Sequence, residues 1–344
     1  MRDISERAAH LHRQCILIDG HNDVLFLKCV RNQPLAFVEV QPEYNSDAPR
    51  LIQGGLTAAM CMVDGHHLHR SMALLEQTLE EIATHPERLV LVRKTADIRR
   101  AKRTGQLGII LTWESLMALG NDLAILPLAR RLGIRACALT HGEGGVVNAL
   151  QTTPSPFEYC TKRDREVFRR THGGLTPFGR SVVQAMNRLG LLIDVAHAND
   201  ATFEDVLELS EKPVVSTHGG VFALCPHSRC STDWQIRALA QKGGLLSIAF
   251  YDAFLAQHDA SVDSVVDHMA YVAELVGAEH VAVGSDFDGL PSYVKPVVPS
   301  ADRLHILTEA MVRRGFSDNE IRLIWGGNYL RVLRKTIDVP ESNR

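Results

Sequence analysis

The sequence lacks the features that mark secreted, membrane-spanning or nucleic-acid-binding proteins. Its seven cysteines are odd in number and contain no Cys-x-x-Cys pair, which argues against a disulfide framework and against a thiolate zinc site. No apolar run approaches the roughly 20 residues that cross a bilayer, and no signal-peptide core follows the charged N-terminus. The formal net charge of −3 provides no basic surface for nucleic acid or an anionic membrane. We therefore expect a cytoplasmic protein whose partner is a small molecule, not a nucleic acid or a membrane.

What the chain does contain is a repeated alternation of short apolar runs and helical patterns. Strands that are apolar on both faces and alternate with helices predict a parallel sheet, and eight of them predict a closed (β/α)8 TIM-type barrel. An open doubly wound sheet is the alternative, but the first strand is not followed by Gly-x-Gly-x-x-Gly. The predicted strands are 15–18, 56–63, 107–112, 134–140, 191–196, 213–217, 245–250 and 280–284.

The segments between the strands predict helices and two long loops. No linker or low-complexity tract divides residues 1–344, so a single barrel domain with a short N-terminal helix is the economical prediction. Three prolines predict a loop over 24–50, and the polar residues at about 142–175 predict a second long loop, a functional lid or a disordered segment. Helices are predicted at about 5–13, 71–83, 95–103, 121–132, 177–190, 200–210, 232–242, 261–276, 301–314 and 317–335.

Polar residues that can bind metal follow most of the predicted strands. In a parallel barrel the carboxyl ends of all strands meet on one face, where active sites are built. Neutral imidazoles and carboxylates suit Zn²⁺ and its first-row neighbours, and two ions roughly 3.5–4 Å apart would use more ligands than one tetrahedral ion needs. The residues at the strand ends are His21 and Asp23, Asp64 or His66, Glu114, His141, His197, His218, Tyr251 and Asp286.

Five of these residues are the predicted metal ligands, and each has a plainer alternative. In extended backbone His21 and Asp23 face the same side, although such a triplet alone is also typical of a polar turn. Glu114 can bridge two metals through its two oxygens, or it can cap a turn. His197 and His218 follow buried strands, where a hydrogen-bonded structural histidine is the alternative.

The remaining candidates predict catalysis and substrate binding. His141 is either a further ligand or a donor that polarises a substrate carbonyl. Asp286 and Asp288 lie two residues apart, so one is expected to move protons while the other supports it, unless they only form a turn. Arg229 can clamp a substrate carboxylate through two hydrogen bonds, or it lies on the surface. Tyr251 and Asp288 are assigned to the substrate pocket.

Together these motifs resemble the membrane dipeptidase (renal dipeptidase) family over about residues 15–335. No single motif is specific, but their order and spacing are. The motifs are Asp19-Gly20-His21-Asn22-Asp23, the Glu114 strand end, Leu139-Thr140-His141, Leu192-Ile193-Asp194-Val195-Ala196-His197, the His218 strand end and Gly284-Ser285-Asp286-Phe287-Asp288-Gly289.

The resemblance implies a (β/α)8 barrel that uses two Zn²⁺ ions, or other divalent first-row metals, to hydrolyse dipeptides and tolerates a D residue at the C-terminal position. A homodimer is also common in the family. By position, the resemblance assigns His21 and Asp23 to one zinc, His197 and His218 to the other, and Glu114 to both. It further assigns His141 to the scissile carbonyl, Asp286 to the attacking water and Arg229 to the substrate's terminal carboxylate.

The chain departs from the family pattern at two places. Thr217-His218-Gly219 stands where Ser-His-Ser is frequent, and Arg229-Cys230 stands where Arg-Asn is usual. The second departure lies beside the carboxylate clamp, so it bears on substrate choice and leaves the metal ligands intact. An amidohydrolase acting on N-acyl amino acids or lactones, or a non-catalytic barrel subunit, is therefore the alternative to a dipeptidase.

Overall fold

The computed structural model describes residues 4–64, 67–141, 160–171, 173–290 and 294–339. Its centre is one parallel sheet, in which eight strands run in the order β1-β2-β4-β5-β6-β7-β9-β10, while β3 pairs with β4 and β8 with β7. The strands are β1 (Ile18–Asn22), β2 (Ala58–Met62), β3 (Leu89–Leu91), β4 (Leu107–Trp113), β5 (Ile134–Ala138), β6 (Leu192–Asp194), β7 (Val214–Val221), β8 (Cys230–Ser231), β9 (Leu245–Ile248) and β10 (Val281–Val283).

The two ends of the strand order meet and nearly close the sheet into a barrel. Asn22 forms a parallel bridge with Phe287, just beyond β10. The backbone N–H of Asp23 donates to the carbonyl of Phe287 at 2.9 Å, and that of Asp286 donates to the carbonyl of His21 at 3.2 Å. Each predicted apolar run overlaps one strand of this path, so the prediction of a (β/α)8 barrel is confirmed.

Helices follow most of the strands. They are α1 (Glu6–Gln14), α2 (Val24–Val30), α3 (Ala48–Gln53), α4 (Leu68–Thr84), α5 (Thr95–Thr104), α6 (Ile125–Leu132), α7 (Lys162–Thr171), α8 (Pro177–Leu189), α9 (Asp200–Leu209), α10 (Asp233–Gln241), α11 (Asp252–Leu255), α12 (Val262–Val276), α13 (His305–Arg314), α14 (Asp318–Arg322) and α15 (Asn328–Thr336). None of the helices within the described residues is long and apolar enough to cross a membrane.

Both faces of the strands are buried, as the uninterrupted apolar runs require. In β2, Ala59 and Cys61 belong to the large core cluster under the helices. Ala58 and Met60 belong to a second cluster, which also contains Tyr329 and other residues of α15. Because successive side chains of a strand point to opposite faces, these two clusters lie on the two sides of the barrel wall.

Two of the predicted loops contain helices. The prediction of a loop over 24–50 is wrong, because α2 lies within it and α3 begins there. The side chain of Asp47 caps α3 by accepting from the backbone N–H of Arg50 at 2.8 Å. Pro49 occupies the first turn, where proline is tolerated because its missing N–H is not needed. In the loop predicted at about 142–175, residues 160–171 include α7, while residues 142–159 lie outside the described residues.

The first strand begins later than predicted. Residues 15–17 join α1 to the barrel, and β1 continues through polar residues to Asn22. The carboxylate of Asp19 makes this continuation favourable, since it accepts from the backbone N–H of Ser285 at 2.7 Å and from the Ser285 hydroxyl at 2.6 Å. Partners distant in sequence therefore set this boundary.

Candidate metal centre

Five side chains from the ends of four strands, β1, β4, β6 and β7, meet around the carboxylate of Glu114. Its Oε1 lies 3.0 Å from His197 Nε2, 3.5 Å from His218 Nε2 and 3.6 Å from His21 Nε2. His21 Nε2 in turn lies 3.1 Å from Asp23 Oδ2. All five side chains are buried, with His197 the most exposed at 8%. The structure therefore brings together the five predicted ligands His21, Asp23, Glu114, His197 and His218.

The arrangement of these atoms fits divalent metal. His197 Nε2 and His218 Nε2 lie 2.9 Å apart. Asp23 Oδ1 is buried and accepts no hydrogen bond from the described residues, although such an oxygen is costly to leave without a partner. The ligand atoms of His21, Asp23 and Glu114 lie within 4.8 Å of one another, as do those of Glu114, His141 and His197. Imidazole and carboxylate without thiolate are the donors expected of a catalytic zinc site.

Burial and charge give the histidines different protonation tendencies. Burial lowers the pKa of His197 and His218 well below the ordinary value, and the nearby Arg229 cation lowers both further. Burial also opposes protonation of His21, but the negative charges of Asp23 and Glu114 outweigh it and raise its pKa. A neutral imidazole is the form that binds metal, so His197 and His218 are held in the metal-binding form.

A second carboxylate orients one of the ligand histidines. Asp194, at the end of β6, accepts from the backbone N–H and the hydroxyl of Thr217. The Thr217 hydroxyl also lies 3.0 Å from His218 Nδ1. Because its own proton is donated to Asp194, its oxygen accepts the hydrogen bond from Nδ1–H. This chain places the His218 proton on Nδ1 and leaves the Nε2 lone pair facing Glu114, which is how outer carboxylates set a ligand tautomer.

Two further buried carboxylates fix the backbone beside site residues. Asp19 binds Ser285, the residue before Asp286, as described above. Asp64 accepts from the backbone N–H of Ser115 at 3.1 Å and from its hydroxyl at 2.9 Å, directly after Glu114. Asp64, predicted as a strand-end ligand, thus lies behind the ligands as a support. Its predicted alternative, His66, lies outside the described residues.

Asp286 lies at the edge of the ligand cluster. One of its oxygens, one nitrogen of His21 and one of His218 lie within 4.8 Å of one another. Burial raises the pKa of Asp286 to about 6, against the lowering effect of His21. A Cβ on Gly289 would lie 2.5 Å from Asp286 Oδ1 and 2.3 Å from Asp23 Oδ2, so only glycine allows this close approach.

Asp288 does not point the same way as Asp286, although the two lie two residues apart. Both residues have left-handed backbone, with φ of 60° and 66°. The rule that side chains two residues apart face the same side holds only for extended backbone, so it does not apply here. Asp288 Oδ1 accepts from the backbone N–H of Asn45 at 2.7 Å, and Oδ2 accepts from the hydroxyl of Ser46 at 2.6 Å. These contacts make Asp288 an anchor of the 45–46 segment.

His141 and Arg229 border the ligand cluster. His141 Nε2 lies 3.9 Å from Glu114 Oε2, and its side chain is 37% exposed, far more than any of the five ligands. The guanidinium carbon of Arg229 lies 5.3 Å from the centre of the Phe254 ring. Its Nη2 is buried without a hydrogen-bond partner among the described residues. This guanidinium therefore has an N–H group that can donate to the carboxylate of a ligand.

Tyr251 lies deeper than a residue that lines an open pocket. It is 5% exposed and belongs to a small apolar cluster with Phe222, Cys225 and Cys230. Its ring meets that of Phe254 edge-on, with 4.7 Å between centroids. Tyr251 therefore supports the aromatic surface on which Arg229 rests.

The two departures from the family pattern are neighbours in space. A Cβ on Gly219 would lie 3.0 Å from the carbonyl oxygen of Arg229, a tight approach. The thiol of Cys230 donates to the carbonyl of Phe254 at 3.3 Å. Both departures thus act on the backbone that carries the guanidinium.

Comparison with known proteins identifies the same family as the sequence motifs do, over nearly the whole chain. The membrane dipeptidase family, peptidase family M19, matches residues 5–344. Dipeptidase tcpJ of Claviceps purpurea is 30% identical over 352 residues, covering 95% of this chain and 78% of the relative. Dipeptidase aclJ of Aspergillus oryzae is 29% identical over 349 residues, covering 95% and 79%.

Solved structures share the fold. An amidohydrolase from Pseudomonas aeruginosa is 25% identical with a TM-score of 0.80, over 96% of this chain and 99% of that one. A metallopeptidase from Rhodobacter sphaeroides, bound to a phosphinate mimic of the dipeptide L-Ala-D-Ala, is 23% identical with a TM-score of 0.81, over 94% and 99%. The ligand cluster, the barrel and these matches together show that the chain belongs to the membrane dipeptidase family, peptidase family M19.

Proposed function

We propose that this protein is a two-zinc dipeptidase that tolerates a D residue at the C-terminal position of its substrate. The observation that carries the proposal is the position of Glu114 Oε1, within 3.6 Å of three imidazole nitrogens. His21 and Asp23 would hold one ion, His197 and His218 the other, and Glu114 both. Two bound ions would lower the pKa of the attacking water and polarise the scissile carbonyl.

The residues around the cluster would carry the other steps. Asp286 would take the proton of the attacking water and deliver it to the leaving amine, and burial, which raises its pKa to about 6, suits it to both tasks near neutral pH. His141, more exposed than the ligands, would donate to the carbonyl oxygen as negative charge develops there. Arg229 would bind the terminal carboxylate with two parallel hydrogen bonds.

Tolerance of a D residue is supported by the Rhodobacter sphaeroides structure, whose bound mimic represents L-Ala-D-Ala. When the terminal carboxylate is held by Arg229, the side chains of a D and an L residue point in different directions from it. We therefore expect the pocket beside Arg229 to accept both arrangements, provided that the side chain is small.

The test combines metal analysis with a panel of dipeptides that differ only in the chirality of the C-terminal residue. Purified protein should carry about two zinc ions per chain, cleave both members of at least one pair, and lose activity on chelation. Fewer than one ion per chain, or hydrolysis that survives chelation, would contradict the proposed metal chemistry. Cleavage of the L member alone would contradict the proposed tolerance.

A second candidate is an amidohydrolase that acts on N-acyl amino acids or lactones. The departures at Gly219 and Cys230 favour it, since both touch the backbone around Arg229. Turnover of lactones that is indifferent to Arg229→Ala, with no dipeptide cleaved, would support this alternative.

A further inference from the structure

Helix α7 contacts the barrel through a long basic side chain, that of Arg165. Its described side chains, 162–167, are exposed except for Arg165. In the ion pair with Asp200, the Arg165 side chain is 10% exposed. A helix with this charged sequence has no broad apolar stripe to bury, so polar contacts such as those of Arg165 join it to the rest of the fold.

The guanidinium of Arg165 connects three separate elements. Nη1 donates to the carbonyl oxygen of Cys230 at 2.6 Å. Nη2 donates to the carboxylate of Asp200 in the first turn of α9 and, at 3.1 Å, to Gln235 Oε1 in α10. Gln235 also donates from its amide nitrogen to Asp200 at 3.0 Å. The planar fork of arginine suits several fixed acceptors at once.

Cys230 directly follows Arg229, so this contact holds the chain that carries the carboxylate clamp. The strand there is short, since β8 contains only Cys230 and Ser231. On the other side of Arg229, its backbone N–H donates to His227 Nδ1 at 3.2 Å. Hydrogen bonds to the Cys230 carbonyl and from the Arg229 N–H therefore fix the backbone from which the Arg229 side chain extends.

Arg165 cannot itself compete for the substrate. Its charge is compensated by Asp200, and its guanidinium carbon lies 5.2 Å from the centre of the Phe222 ring. Arg229, in contrast, keeps a buried Nη2 without a hydrogen-bond partner among the described residues. The two arginines thus have different tasks, one structural and one directed at a ligand.

We propose that Arg165 is a positioning residue for Arg229: by holding the Cys230 carbonyl, it sets the affinity for the substrate's terminal carboxylate. This inference rests on the proposed dipeptidase function and on the carboxylate-binding role of Arg229. It also makes affinity depend on how α7 is seated against α9 and α10.

The first measurement is steady-state kinetics of Arg165→Gln with a dipeptide that the wild type cleaves. Loss of the charge-assisted hydrogen bond to the Cys230 carbonyl predicts a kcat/KM lower by about 10- to 100-fold, through KM and with kcat nearly unchanged. Metal content should equal that of the wild type. Arg163→Gln, which removes an exposed charge from the same helix, is the matched control and should behave as wild type.

A double-mutant cycle with Arg229→Gln separates positioning from general damage. If Arg165 acts through Arg229, then Arg165→Gln should change kcat/KM by less than about twofold in the Arg229→Gln background. Equal losses in both backgrounds would overturn the inference and leave the proposed function intact. A wild-type protein that cleaves no dipeptide would instead overturn the proposed function and this inference with it.

Arg165→Lys covers the case in which the glutamine variant loses metal or stability. The ammonium keeps a charge beside Asp200 but lacks the fork that reaches Cys230 and Gln235 together. A raised KM that again disappears in the Arg229→Gln background supports the inference. A KM equal to that of the wild type contradicts it.

Discussion

Replacing Thr217 by valine tests whether the Asp194–Thr217–His218 chain prepares His218 for metal. Valine keeps the shape of threonine but removes the hydroxyl of a residue that is only 1% exposed in the fold. The change deprives Asp194 Oδ2 of its hydroxyl donor and His218 Nδ1 of its acceptor. Each buried group left unsatisfied costs about 1–3 kcal/mol, and loss of an outer support of a metal ligand typically weakens metal binding about 10- to 100-fold.

The assay is a competition titration of the metal-free protein with zinc and a chromophoric chelator. The site held by His197 and His218 should lose affinity by the factor given above, while the site held by His21 and Asp23 should change much less. Thr217→Ser is the matched control, because it keeps the hydroxyl and should bind zinc as the wild type does. Equal affinities of the valine and serine variants would refute the role given to this hydroxyl.

Three further predictions concern Glu114 and Asp286 in the site and His12 in α1. Glu114→Gln should lower occupancy of both metal sites together in metal analysis, since Oε1 faces ligands of both; loss of one site alone would argue against a bridge. Asp286→Asn should retain metal but lower kcat by about 10²- to 10⁴-fold, as expected for loss of a general base, and a kcat near that of wild type would exclude this role. Burial lowers the pKa of His12 to about 4 from 6.5, so the unfolded chain binds the proton more readily between these values. His12 alone should therefore lower the stability of the metal-free protein by about 1.4 kcal/mol per pH unit as pH drops from 6.5 towards 4. Urea unfolding of His12→Gln should show a pH dependence that is smaller by this amount, whereas an unchanged slope would contradict the assignment.

The barrel could be predicted from the sequence because its signal is repeated. Most strands of the barrel are apolar runs buried on both faces, and each predicted run overlaps an observed strand. Boundaries were less predictable where partners distant in sequence extend a strand through polar residues. In β1, for example, Asp19 is polar in sequence but fully paired with Ser285 in the fold.

The helices that sequence reasoning missed lack the usual signal. Pro49 was read as a breaker, yet it lies in the first turn of α3, where Asp47 caps the helix. Helix α7 has no apolar periodicity, and Arg165 joins it to partners in three distant segments. Such contacts cannot be predicted from local pattern.

In the candidate site, the histidines were easier to predict than the carboxylates. His21, His197 and His218 follow buried strands and converge as expected. Asp19 and Asp194 also lie on strands, and nothing in their local sequence distinguishes a support from a ligand such as Asp23. Their roles depend on Ser285 and Thr217, which only the three-dimensional pairing of strands brings close.

Anomalous diffraction at the zinc edge from crystals of the metal-loaded protein tests the central claim most directly. The account predicts two peaks in each chain, one contacting His21 and Asp23 and the other contacting His197 and His218. Both should contact Glu114, at ligand distances of about 2.0–2.2 Å. A single peak, or peaks that do not share Glu114, would contradict a two-metal centre at these strand ends.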